Sequence, residues 1–247
     1  GDWQGARGFS DKGLAISHQD PILLGARALL EYQTGEYDAG NEYLTRLMDT
    51  VAWRQGDPIV PTLFNPSYIV PTVTVPLTAY ISDDDRLVDQ ADAIALSVDS
   101  WRFVHQGPLY AANIGRALIA VIRDNQASAK ELYDSLSSIS GVMWPQSPMG
   151  PGISTDRILG LLSHTIGELD LGEGHFKAAQ NFCRNAGYRP ELAWIGYEYA
   201  TVLSARNTAG DQATATSLLD ESLAISTELN MRPLMERILS KREILKA

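Results

Sequence analysis

The chain has 247 residues, 45% of them hydrophobic and 20% charged, a globular balance that excludes a disordered tail. Its formal net charge of -10 excludes a surface built to neutralise phosphates, so no direct binding of nucleic acid is expected. A single cysteine, Cys183, can form neither an internal disulfide nor a cysteine-based zinc site, and a cytoplasmic setting is expected.

The opening, "GDWQGARGF" (1–9), lacks an initiating methionine and reads as the inside of a helix. The chain is therefore expected to be an excised domain of a larger protein. Asp20 before Pro21 reads as an N-cap with proline at the first helical position. Residues 52–71 are apolar and rich in proline, which predicts an irregular insertion. "YIVPTVTVP" (68–76) is the best strand candidate in the chain, weakened by its two prolines. "SDDD" (82–85) predicts a turn, and Gly107-Pro108 another helix start. Residues 140–154, "SGVMWPQSPMGPGIS", predict a second irregular insertion. From there the apolar spacing is helical: Ile158, Leu161, Leu162, Thr165, Ile166 and Leu169, then Leu192, Ile195, Tyr199 and Leu203, then Leu218, Ser222, Ile225 and Leu229. Arg189-Pro190 and Arg232-Pro233 recur 43 residues apart and are read as helix openings, because a residue before proline is biased away from the α region. No apolar run approaches the roughly 18 residues of a membrane span, so no membrane partner is expected.

The pattern repeats. "GDW" at Gly1 and "GEY" at Gly35 lie 34 residues apart, the period of about 34 residues typical of a tetratricopeptide repeat. Gly35, Tyr37, Gly40 and Leu44 follow Leu24 and Ala28 in that register. Leu159, Gly160, Gly167, Leu169, Gly172, Phe176 and Ala179 fit it more fully. Degenerate copies run through Asn113, Ala117, Ala120, Asp124, Ala129, Tyr133 and Leu136, and through Ala200, Leu203, Gly210, Ala215 and Leu219. A weaker copy spans residues 70–97. The expected fold is a single all-α, tetratricopeptide-like α-solenoid of antiparallel hairpins over 1–247. The two Pro/Gly-rich loops, about 52–71 and 140–154, interrupt it.

Catalytic chemistry is sought without success. The four histidines show no H-E-x-x-H or Cys/His zinc spacing. His164 and His175, on the two helices of one predicted hairpin, could imitate a metal site with Glu168 or Asp170. They are read instead as surface or packed side chains. No phosphate-binding loop or nucleophile elbow is present, and "GPGIS" (150–154) lacks the lysine. Cys183, among Phe182, Ala179 and Ala186, reads as a small core residue. No catalytic residue, metal or cofactor is expected.

"DRILGLLSHTIGELDLGEGHFKAAQNFCRNAGYRPELAW" (156–194) and "GDQATATSLLDESLAISTELNMRPLMERILSKREILKA" (210–247) resemble the C-terminal tetratricopeptide region of bacterial multidomain signalling ATPases of the STAND-like class. In that class an adenylate/guanylate cyclase domain or a LuxR-type helix-turn-helix precedes the ATPase. The resemblance is weaker over the first 150 residues, where "GDWQGARGFSDKGLAIS" carries most of it. It implies a non-catalytic module that receives a protein, a peptide or a small-molecule inducer in a concave groove and biases the attached ATPase. The groove is expected to use Arg27, Asn113, Arg116, Arg157 and His164 from inner helices, and Tyr68 and Trp144 from the loops. A helical enzyme built on His164, His175 and nearby carboxylates is one alternative. A purely structural, oligomerising array is another, and it would need a self-interface above roughly 1,000 Å².

Overall fold

The computed structural model describes residues 1–50, 66–98, 106–144 and 152–246. They form helices α1 (Trp3–Ile16), α2 (Pro21–Thr34), α3 (Tyr37–Thr50), α4 (Pro66–Ser82), α5 (Asp85–Val98), α6 (Gln106–Ile122) and α7 (Gln126–Leu136), then a 3-10 turn (Ser137–Ile139). Two-residue strands β1 (Met143–Trp144) and β2 (Ile153–Ser154) follow. Helices α8 (Thr155–Thr165), α9 (Leu169–Ala186), α10 (Arg189–Arg206), α11 (Asp211–Glu228) and α12 (Arg232–Lys246) complete the chain. The all-α expectation therefore holds for the described residues, apart from the antiparallel β1–β2 pair.

The local signals act as their chemistry requires. The Asp20 carboxylate accepts from the Ile22 and Leu23 amides and caps α2. Arg189 and Arg232 begin α10 and α12, so Arg-Pro opens a helix both times. Hairpins α2–α3, α4–α5, α6–α7, α8–α9 and α10–α11 each leave the first helix through a left-handed residue, Gly35, Asp83, Asp124, Gly167 and Asn207, and the last of these turns adds a second at Gly210. At three of these turns the next amide reaches back five residues, from Glu36 to Glu31, Asn125 to Ala120 and Glu168 to Ser163, and so satisfies an orphaned carbonyl.

The strand candidate at 68–76 is overturned. It lies inside α4, with Pro71 and Pro76 in the helix interior. Helix α4 packs against α2, α5 and α6, and that enclosure outweighs its poor intrinsic propensity. Pro76 has no N–H to give the Thr72 carbonyl, four residues back. Helix α6 meets α4 at that spot with Gly115, where a Cβ would lie 1.8 Å from the Thr72 oxygen. The first predicted insertion thus ends earlier than 71. Residues 51–65 lie outside the described residues, with Phe64 among them, as do 145–151 of the second insertion, with Met149.

Each even-numbered helix packs on the next, α2 on α4, then α6, α8, α10 and α12, and the odd-numbered helices lie between them. Helix α12 also packs on α2 and α4, so the last helix meets the first two hairpins. Arg232 donates to the carbonyl of Thr34, at the end of α2. The Trp3 indole donates to Leu229 between α11 and α12. One contiguous apolar core runs from Leu14 to Ile238.

Candidate functional site

Where the winding closes, α4, α8, α10 and α12 converge on a buried polar network. Arg157, 1% exposed, donates from Nε and Nη2 to Glu198 at 2.8 and 2.6 Å and from Nη1 to Glu191 at 2.7 Å. Glu191 also accepts from the Ser154 amide, and Glu198 accepts from the Tyr80 hydroxyl. Tyr80 and Trp194 rings lie 5.8 Å apart, flanked by the guanidiniums of Arg157 and Arg237. The Trp194 indole donates to Gln33 of α2. Burial pushes the Glu191 carboxyl up, against the pull of Arg157. Burial acts to lower the Arg157 guanidinium, but Glu191 and Glu198 outweigh it, and Arg157 remains a cation. The network ties α4, α8, α10 and α12 together, and Gln33 links it to α2.

Beside it lies a cleft of about 480 Å³ beneath α12, at the C-terminal end of α4. Tyr37 and Tyr197 form its aromatic walls, with Ile81 and Ile244. Its charged groups are Asp83, Glu236, Arg237 and Lys241. Arg237 is already engaged by the Tyr80 carbonyl and by Asp83 at 2.8 Å. Glu236 and Lys241 have no ion-pair partner among the described residues. Burial lowers the Lys241 ammonium. His164, half-buried on α8, is pulled down by burial and further by Lys241.

The seven groove residues expected from sequence do not gather in one groove. Arg157 is a correction: its guanidinium is buried in the core and paired with Glu191 and Glu198, so it faces no groove. Asn113 is another, being buried and donating to Ser135 across the α6–α7 hairpin. Arg27 belongs to a separate ion cluster with Glu31, Asp11 and Ser10, stacked on Tyr43. Arg116 lines a 240 Å³ cleft between α5, α6 and α7, beside Arg123 and Asp92. His164 does not line the α12 cleft, but it lies within electrostatic reach of Lys241, which does. The side chains of Tyr68 and Trp144 lie outside the described residues.

His164 and His175 do sit on the two helices of one hairpin, but His175 turns elsewhere. Its Nδ1 is 2.8 Å from Asp156 and its Nε2 is 2.9 Å from the Tyr133 hydroxyl. Burial acts to raise the Asp156 carboxyl, but hydrogen bonds from His175, Ser140 and the Gly141 amide outweigh it and hold it below its usual range. No group of three metal-type side chains occurs among the described residues. Cys183 is fully buried and burial pushes its thiol up to about 12, which suits a core residue.

No helix among the described residues is long and apolar enough to cross a membrane. No protein-family model, curated protein or solved structure matches the chain. The residues missed by sequence reasoning are Tyr37, Tyr197, Glu236 and Lys241. Tyr37 was legible only as a packing position, and the others carry no motif.

Proposed function

We propose that the chain is a non-catalytic, tetratricopeptide-like sensing or interaction module of a bacterial signalling ATPase, and that it binds through the cleft beneath α12. The carrying observation is the contrast in charge pairing. The buried cation Arg157 is matched by carboxylates, whereas Lys241 and Glu236 line an open cleft with no ion-pair partner among the described residues. Unpaired charge beside aromatic walls is what a binding cleft offers and what a packing interface avoids. Hairpin packing supports the repeat reading: a Cβ on Gly160 would lie 2.7 Å from Phe176, and one on Gly40 2.6 Å from Tyr32. The repeat register named Gly160, Phe176 and Gly40, but not Tyr32.

The test is a thermal-shift screen of this chain against metabolites, nucleotides, sugars and peptides. A ligand at about a hundred times its dissociation constant adds roughly 2.7 kcal/mol. A dose-dependent rise is expected. If nothing shifts the transition, and the attached ATPase region does not bind either, the reading is wrong.

A helical enzyme is the rival reading, favoured by one observation. Tyr133, His175 and Asp156 form a donor–base–orienter chain. Burial raises the Tyr133 hydroxyl, which opposes its use as a nucleophile. That reading requires a turnover abolished by His175→Gln and untouched by substitutions in the α12 cleft.

A further inference from the structure

We propose that the chain pairs with a second copy of itself through α1, the two α1 helices lying antiparallel across a two-fold axis. The inference does not depend on the cleft beneath α12. Helix α1 packs on α2 as α9 packs on α10. Arg7 and Ser10, six and nine residues after Gly1, bond Thr34 and Arg27, one and eight residues before Gly35. Glu173 and Phe176, six and nine residues after Gly167, meet Arg206 and Tyr199, one and eight residues before Asn207. Helix α1 thus packs as the second helix of a hairpin does. Helices α3 and α9 are each covered by a first helix. A Cβ on Gly40 would lie 2.6 Å from Tyr32 of α2, and one on Gly172 3.3 Å from the Gly160 carbonyl of α8. The corresponding residue of α1, Ala6, is exposed. Phe9 is exposed too, where Tyr43 of α3 and His175 of α9 are half-buried. Among the described residues, no helix takes the first helix's place on α1.

What fits that place is a helix antiparallel to α1, and α1 itself has the required pattern. At about 100° per residue, Ala6, Phe9, Gly13 and Ile16 fall within about 80° of arc. Phe9 and Ile16, at 74% and 89%, are the two most exposed large apolar side chains among the described residues. Small and large residues alternate along this stripe. An antiparallel copy can be set so that Phe9 of each chain faces Gly13 of the other and Ile16 faces Ala6. Both pairings belong to one register, because 9 + 13 and 6 + 16 are the same sum. Such an interface is self-complementary, as two-fold symmetry requires. The same device works inside the chain, where Gly160 receives Phe176 and Gly40 receives Tyr32. Leu23 of α2 already lies where a Cβ on Gly13 would be, so the partner's Phe9 rests on an apolar floor. Lys12 is exposed at the rim of the stripe, where its stem covers apolar surface and its ammonium stays in water. One helix pair buries less than the roughly 1,200–2,000 Å² of a stable complex, so a micromolar dissociation constant is expected.

Sedimentation equilibrium of the chain from about 1 μM to about 1 mM tests this. A monomer–dimer equilibrium is expected, weakened about 10-fold or more by Phe9→Ser and by Ile16→Ser. Both side chains are exposed in the single chain, so melting curves of the variants at the lowest concentration should match the parent. Cross-linking under oxidation reads the register. Ala6→Cys and Ile16→Cys chains should form a disulfide-linked pair when mixed. Neither should do so alone, because two copies of one position would stand about 15 Å apart along the helices. Cys183 is fully buried and stays silent. A chain that remains monomeric throughout overturns the proposal. So does an association that Phe9→Ser and Ile16→Ser leave unchanged, since it runs through another surface. Cross-links that form equally within one variant, or not at all, overturn the antiparallel arrangement.

Discussion

Gly115 shows how one residue can be required by a fault in its neighbour. Pro76 leaves the Thr72 carbonyl without its helical donor, and Gly115 lets α6 close over it. Any side chain at 115 meets backbone, which cannot swing aside. Gly115→Ala is therefore expected to cost about 3 kcal/mol, at the upper end of overpacking penalties. A fall in the urea midpoint with an unchanged slope would confirm it, and a change within about 0.5 kcal/mol would refute it. Arg157 poses the opposite problem. Its two carboxylate partners are buried, and removing the cation strands both. Arg157→Met is expected to cost about 3–5 kcal/mol. The same substitution with Glu191→Gln and Glu198→Gln should recover most of that loss. If the triple variant is no more stable than the single one, charge is not what Arg157 supplies.

At the scale of elements, the hairpin turns are the most uniform feature. Each uses the left-handed region, yet only two of the five central turn residues are glycine. Asp124 sits there exposed with φ of 49°. An L side chain in this region is strained, so Asp124→Gly should stabilise the α6–α7 hairpin by about 0.5–1 kcal/mol and raise the melting temperature. A drop would show that the aspartate has a partner that outweighs the strain. The α10–α11 turn carries a different device. Arg206 holds Asp170, Glu173 and Asp211. Hydrogen bonds from Lys177, Arg206 and Tyr199 draw the Glu173 carboxyl down to about 2. Arg206 and Thr208 draw Asp211 lower still. A depressed folded-state value means stability present above the unfolded value and lost as pH falls. For Glu173 that window runs from about 4.5 to about 2. Arg206→Gln should flatten the decline in stability across that window, as read from urea midpoints at each pH. An undiminished slope would place the acid sensitivity elsewhere. These elements were largely legible in the sequence, because caps, proline and helical spacing act locally. Helix α4 was not, because its β-branched, proline-bearing sequence becomes helical only through the neighbours that enclose it.

The whole molecule differs from an open array in how its ends meet. That closure was not legible, since repeat register reports only nearest neighbours. It also hid the candidate cleft, whose walls come from α3, α4, α10 and α12, and it placed the expected groove residue Arg157 inside the core. Closure has a measurable consequence. In an open array each repeat leans only on its neighbours, and damage at one end stays there. Here Leu234 of α12 is fully buried, and α12 rests on α2 and α4. Leu234→Ala removes a packed side chain and should cost about 2–5 kcal/mol. Hydrogen exchange then decides between the two architectures. If α12 braces the first two hairpins, amides in α2 and α4 should lose protection together with those in α12, although some 150 to 200 residues of sequence separate them. If only α11 and α12 lose protection, the contacts between α12 and α2 carry little energy, and the chain behaves as an open array despite its tight winding.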